Sequence, residues 1–164
     1  MDGITLLENE IKLHPHLKIE DHQVVSKVCN YIRISSTEEL GIINEALRDQ
    51  VEIEAACVYL TSKYGRLLNK LEQRLDEHKA GKSVELGSKD DEGLKWTKQA
   101  KEQWLLAMDA QYATQTEVIS KCHTLITMLR GLSTIVFNRD RKLEQLSVNY
   151  RKDLEFDRRS TGRR

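Results

Sequence analysis

The sequence predicts an all-α protein: a long antiparallel helical hairpin with a small N-terminal helical head, packed in coiled-coil fashion and oligomeric. Three observations carry this expectation. Charged residues fill 32% of the 164 positions, aromatics only 5%, and Pro15 is the single proline, so little interrupts a helix and little fills a globular core. Apolar residues recur at alternating spacings of three and four over long stretches, which is the coiled-coil period. At Leu67/Leu68, Val118/Ile119 and Leu125/Ile126 that stripe is wider than a two-stranded seam covers, which points to a higher oligomer.

The head occupies residues 1–34. Ile4, Leu7 and Ile11 sit at helical spacing over 2–13, and the helix stops ahead of Pro15 because the residue before proline leaves the α region. A second short helix runs from about Asp21, as N-cap, to Ile34, with Val24/Val25, Val28 and Ile32 on its apolar stripe. The hairpin occupies 35–150. Ser36 and Glu39 have the capping-box spacing and open a helix over about 37–79. Its seam reads Ile53, Cys57, Leu60, Tyr64, Leu67 and Leu71.

Gly81, Gly87 and Gly93 bracket a polar loop over 80–93. A last helix over 94–150 follows, about 84 Å long at 1.5 Å per residue. Its seam reads Trp104, Met108, Gln111, Gln115, Val118, Cys122, Leu125, Leu129, Leu132, Val136, Arg139, Leu143, Leu146 and Tyr150. The basic tail, 151–164, reads as disordered. The residues on which packing and assembly are expected to rest are Leu60, Leu67, Leu71, Leu125, Leu129, Leu132 and Val136.

Catalytic chemistry finds little foothold. Cys29, Cys57 and Cys122 are isolated, so they suggest neither a zinc site nor a disulfide framework. His14, His16 and His22 cluster near the proline without an acidic or cysteine partner at a ligand spacing, and read as surface or capping residues. Cys122 and His123 point about 100° apart on a helix, so they do not form a nucleophile–base pair. No phosphate loop, nucleophile elbow or dinucleotide fingerprint occurs. The expectation is a non-enzyme without metal or cofactor. The N-terminus does not read as a signal peptide, and no stretch approaches a membrane span.

Charge gives the better lead. The net charge is zero, yet residues 118–164 hold eleven Lys/Arg against five Asp/Glu, and no acid lies between Val118 and Arg139. Lys121, Arg130, Arg139, Arg141, Lys142, Arg151 and Lys152 make a candidate phosphate-binding strip on the last helix, with Arg130, Arg139, Arg141 and Lys142 as its expected strand contacts.

The stretch Leu71-x-x-Arg74-Leu75-Asp76-x-x-x-Ala80-Gly81-Lys82 resembles the motif of the phage recombination-mediator (UvsY-like) family. Over residues 60–146 the outline is also similar: a loop, a helix with Cys122, the Gly131-Leu132-Ser133-Thr134-Ile135 run, and a basic end. Glu72 stands where the family has lysine, and Glu77 and His78 where it has paired tyrosines. The resemblance implies DNA contacts at Arg74, Lys79 and Lys82, and none at Glu72. It also implies a ring-forming homo-oligomer in the cytoplasm of a bacterial host. Such a protein binds single-stranded DNA, helps displace the single-stranded-DNA-binding protein and loads a RecA-like recombinase. The alternatives are an oligomeric coiled-coil scaffold or packaging adaptor without DNA binding, and a helical inhibitor or adaptor of a host protein.

Overall fold

The computed structural model describes residues 3–33, 40–87 and 95–161; the helix path alone is described at Leu40, at Ile42 and over 157–161. Among these residues the fold is all-α. It comprises α1 (Gly3–Lys12), a 3-10 turn (Ile19–Asp21), α2 (His22–Arg33), α3 (Leu40–Glu85), α4 (Lys98–Met108) and α5 (Ala110–Thr161), with no strand. The expected Ser36–Glu39 capping box and most of the loop lie outside the described residues. The chain divides into two compact units, Met1–Thr61 with Thr127–Arg164, and Ser62–Ile126.

In the first unit, α1 and α2 bury Ile11, Val25, Val28, Cys29 and Tyr31, with Leu17 between the helices. Glu8 is also buried there, at 8% exposure. It accepts hydrogen bonds from Lys12 Nζ at 2.5 Å, Ser26 Oγ at 3.0 Å and Arg33 Nη2 at 2.5 Å, which ties α1 to the second turn and to the last residue of α2. Burial works against the charge, but these three donors overcome it and hold the carboxyl at about 2. The head docks through Tyr31 on Asp140 of α5 and through Lys27 on Glu52 of α3.

In the second unit, Glu72 of α3 meets His123 of α5 at 3.1 Å, and His78 meets Asp109 at 2.9 Å. Lys79 pairs with Glu102 of α4. Lys101 Nζ donates to the carbonyls of Ser83 and Gly87, which closes off the end of α3.

Several boundaries differ from the expected ones. α3 continues to Glu85 instead of ending at Lys79, so Gly81 is helical and the stop falls at Gly87, whose φ of +70° suits a residue without Cβ. The last helix is two helices. Asp109 adopts an extended conformation between α4 and α5, and its Oδ1 accepts the Tyr112 backbone N–H at 2.9 Å as an N-cap. Thr97 caps α4 in the same way, accepting from the Ala100 N–H at 3.1 Å. At the far end α5 runs on to Thr161, where the sequence reads as a disordered tail.

The seam is displaced by one residue at defined places. Leu60, Leu125, Leu129, Leu132 and Val136 are buried as expected, whereas Leu67 is 36% exposed and Leu68 takes its place at 8%. Leu71 is half-buried. On the C-terminal helices, Leu105, Tyr112, Ile119, Asp140 and Ser147 are buried in place of Trp104, Gln111, Val118, Arg139 and Leu146. A strict 3.5-residue repeat drifts by about 20° per heptad against a straight helix. Here the buried positions include steps of four and four, at Leu60–Tyr64–Leu68 and Leu132–Val136–Asp140, which follow the straight-helix period. The register makes a simple expectation: Leu68→Ala lowers stability by about 2 kcal/mol, while Leu67→Ala costs under about 0.5 kcal/mol. Urea denaturation of the two variants checks it.

Candidate nucleic-acid interface

The seven cations singled out by sequence fall in separate units. Arg74, Lys79 and Lys82 belong to the second, and Arg130, Arg139, Arg141 and Lys142 to the first. Their surroundings differ sharply. Lys79 is engaged by Glu102, whose hydrogen bond raises its pKa. Lys82 is held by Glu85 at 2.6 Å, which has the same effect. Both offer a phosphate a charge already matched by a carboxylate. Arg139 is half-buried, with its guanidinium 5.7 Å from the centre of the Tyr31 ring, and burial lowers its pKa. Arg130, Arg141 and Lys142 are exposed, and Arg141 lies 6.0 Å from the Phe137 ring.

Arg74 is exposed on α3, and it does not stand alone. Lys63, Arg66, Lys70 and Arg74 follow one another at spacings of three, four and four, so they form one ridge about 16 Å long on a helix. Arg66, Lys70 and Arg74 make no ion pair with any described residue. Arg66 Nε bonds the Ser62 carbonyl at 3.3 Å, and Lys63 Nζ lies 6.0 Å from the Tyr64 ring, both of which steady the ridge on its own helix. Tyr64 and Leu68 bury the adjoining face and so fix which way the cations turn. Glu77 ends the ridge, held by Gln73 Nε2 at 2.9 Å. The sequence alone pointed on α3 only to Arg74, Lys79 and Lys82, around the end of the helix, and so missed Lys63, Arg66 and Lys70 as the rest of this row. The three–four–four spacing was legible and would have found it.

α5 carries a sparser counterpart. Arg130, Arg141 and Lys152 are exposed at intervals of eleven residues, three full turns, with Phe137 and Val148 exposed between them.

Elsewhere the chemistry is quiet. The three cysteines are free and buried. Burial pushes the Cys29 and Cys57 thiols up to about 11 and raises Cys122 as well, so they are protonated and inert at neutral pH. His14 and His16 lie with their rings 5.6 Å apart, and the His16 backbone N–H donates to His14 Nδ1 at 3.3 Å, an arrangement that closes the turn after α1. Among the described residues no three His, Cys, Asp or Glu side chains gather as a metal site would need, and no helix is long and apolar enough to cross a membrane.

Comparison with protein-family models, with curated proteins and with solved structures finds no match to this chain.

Proposed function

We propose that the protein binds single-stranded DNA without sequence preference and acts as a recombination mediator, loading a RecA-like recombinase onto strands from which it helps displace the single-stranded-DNA-binding protein. The observation that carries this is the α3 ridge of Lys63, Arg66, Lys70 and Arg74, in which Lys63 is half-buried and the last three are exposed cations without carboxylate partners among the described residues. Steps of four residues set neighbouring charges about 6 Å apart along the helix, a spacing suited to successive phosphates of an extended strand. Such contacts are individually weak. Repetition around a homo-oligomeric ring of antiparallel helical hairpins, packed as coiled coils, multiplies them. No catalytic residue is required.

Salt dependence tests the reading. Lys70→Ala combined with Arg74→Ala is expected to lower the log–log slope of affinity for a labelled oligothymidylate against salt by about 1.4, since each lost phosphate contact removes about 0.7 for a single strand. An unchanged slope takes the ridge off the DNA surface. Recombinase loading is then measured by strand-exchange rate in the presence of the single-stranded-DNA-binding protein.

A second reading rests on a different observation. Phe137, Val148, Leu154 and Phe156 are all large, apolar and about half or more exposed on α5. Side chains of this kind suit contacts with further helices. A coiled-coil scaffold uses that surface and needs no strand. Fluorescence anisotropy that detects no oligonucleotide binding at low salt favours it over the mediator.

A further inference from the structure

On the first unit, the last turn of α2 and the α5 segment from Ile135 to Asn149 enclose a groove of about 560 Å3. Its apolar lining is Ile32, Ile135, Leu143 and Leu146, and three amide side chains surround these. Arg139 and Lys142, one turn apart on α5, are its charged residues, and no carboxylate lines it. Asp140, the acid next to Arg139, is buried at 2% exposure and turned to Tyr31. Arg139 is steadied by its position over the Tyr31 ring.

We propose that this groove docks an acidic, leucine-bearing peptide segment of a partner protein. Charge complementarity selects the occupant: two cations beside an aliphatic floor match carboxylates flanking aliphatic anchors. A nucleic-acid strand fits less well, because no aromatic ring lines the groove for a base to stack on. The volume lies in the range of sites that hold short peptides and other drug-sized ligands. The amides supply donors and acceptors for the backbone of an extended or helical segment. This surface is separate from the α3 ridge, so the proposal stands whether or not the ridge binds DNA.

The test uses the full chain and a fluorescein-labelled nonapeptide alternating aspartate with leucine, together with its lysine–leucine counterpart. Lys142→Glu is exposed, and circular dichroism checks that it folds. The acidic peptide is expected to bind the native protein, to bind Lys142→Glu at least tenfold more weakly, and to bind Leu146→Asn at least threefold more weakly. The basic peptide is expected to gain affinity for Lys142→Glu. Equal binding of the two peptides to the native protein overturns the proposal, as does an acidic-peptide affinity that neither substitution changes. Displacement of the peptide by oligothymidylate overturns it in favour of nucleic acid. Failure of the peptide to bind, with Lys142→Glu dissociating an oligomer in sedimentation, overturns it in favour of a second copy of this chain. Failure to bind with assembly unaltered overturns it outright. The DNA reading is scored separately, by the salt slope of Lys70→Ala with Arg74→Ala.

Discussion

Tyr31→Phe is expected to destabilise the protein by about 3 kcal/mol at pH 7, the range for breaking a buried hydrogen bond to a charged group. Tyr31 is 3% exposed and its hydroxyl donates to Asp140 Oδ1 at 2.5 Å, joining α2 to α5. Oδ2 of Asp140 has no donor among the described residues. Burial raises the Asp140 pKa, the tyrosine bond works the other way, and the Glu54 carboxyl of α3 raises it further. A neighbouring carboxylate favours the form of Asp140 that holds a proton. The group therefore binds protons more tightly folded than unfolded.

Its contribution to stability is greatest below the unfolded value near 3.8 and is lost as pH rises through the raised folded value. The cost of Tyr31→Phe should accordingly be smaller at pH 4 than at pH 7, falling toward about 1 kcal/mol as Asp140 takes up its proton and the bond becomes a neutral one. Asp140→Asn makes the converse expectation. Its amide can still accept from Tyr31 and removes a buried charge that burial and Glu54 disfavour, so it should stabilise by about 1 kcal/mol at pH 7. Denaturant unfolding at the two pH values reads both outcomes. A Tyr31→Phe loss that does not change between pH 4 and pH 7 would show that Asp140 is not the titrating group.

Glu8→Gln should cost about 3 kcal/mol at neutral pH, because lowering the carboxyl from 4.5 to about 2 corresponds to that much at about 1.36 kcal/mol per pH unit. The sign is opposite to that of Asp140. A lowered folded pKa gives stability that is complete above 4.5 and disappears as pH falls toward about 2. Glutamine keeps the shape and loses the charge that Lys12 and Arg33 face. The native protein should therefore lose stability on the acid side, and Glu8→Gln should flatten that limb. Thermal melts between pH 2 and pH 6 measure it. Parallel acid limbs for the two proteins would refute the role of Glu8. Because Glu8 and Asp140 belong to the same unit, their opposed titrations give it a stability maximum instead of a monotonic slope.

The head shows how the two levels of information divide. Ile11, Val25 and Val28 were legible as core because their spacing marks one face of a short helix. Glu8 was not, although it stands four residues after Ile4 on the same face. Nothing in a local pattern reports that Ser26 and Arg33, far along the chain, return to a carboxylate. Tyr31 and Asp140 are 109 positions apart, and only folding brings them together. The α3 ridge lies at the other extreme. Its row of cations is local, and what the structure adds is that Glu72 turns to His123 while Lys79 and Lys82 are taken by Glu102 and Glu85.

The amino-acid sequence alone determined the all-α class, the extent of α1 and α2 to within a few residues, and the buried run Leu125, Leu129, Leu132 and Val136. All of these follow from hydrophobic period and from proline, which act within a few residues. Tertiary structure decided the register beyond that run. A one-residue phase shift costs almost nothing locally and is selected only by which side chains find a buried neighbour. It also decided the break at Asp109, where the cap on Tyr112 and the bond from His78 act together. It decided, too, which lysines and arginines remain open to a partner, since a cation's availability depends on carboxylates that folding delivers from elsewhere in the chain.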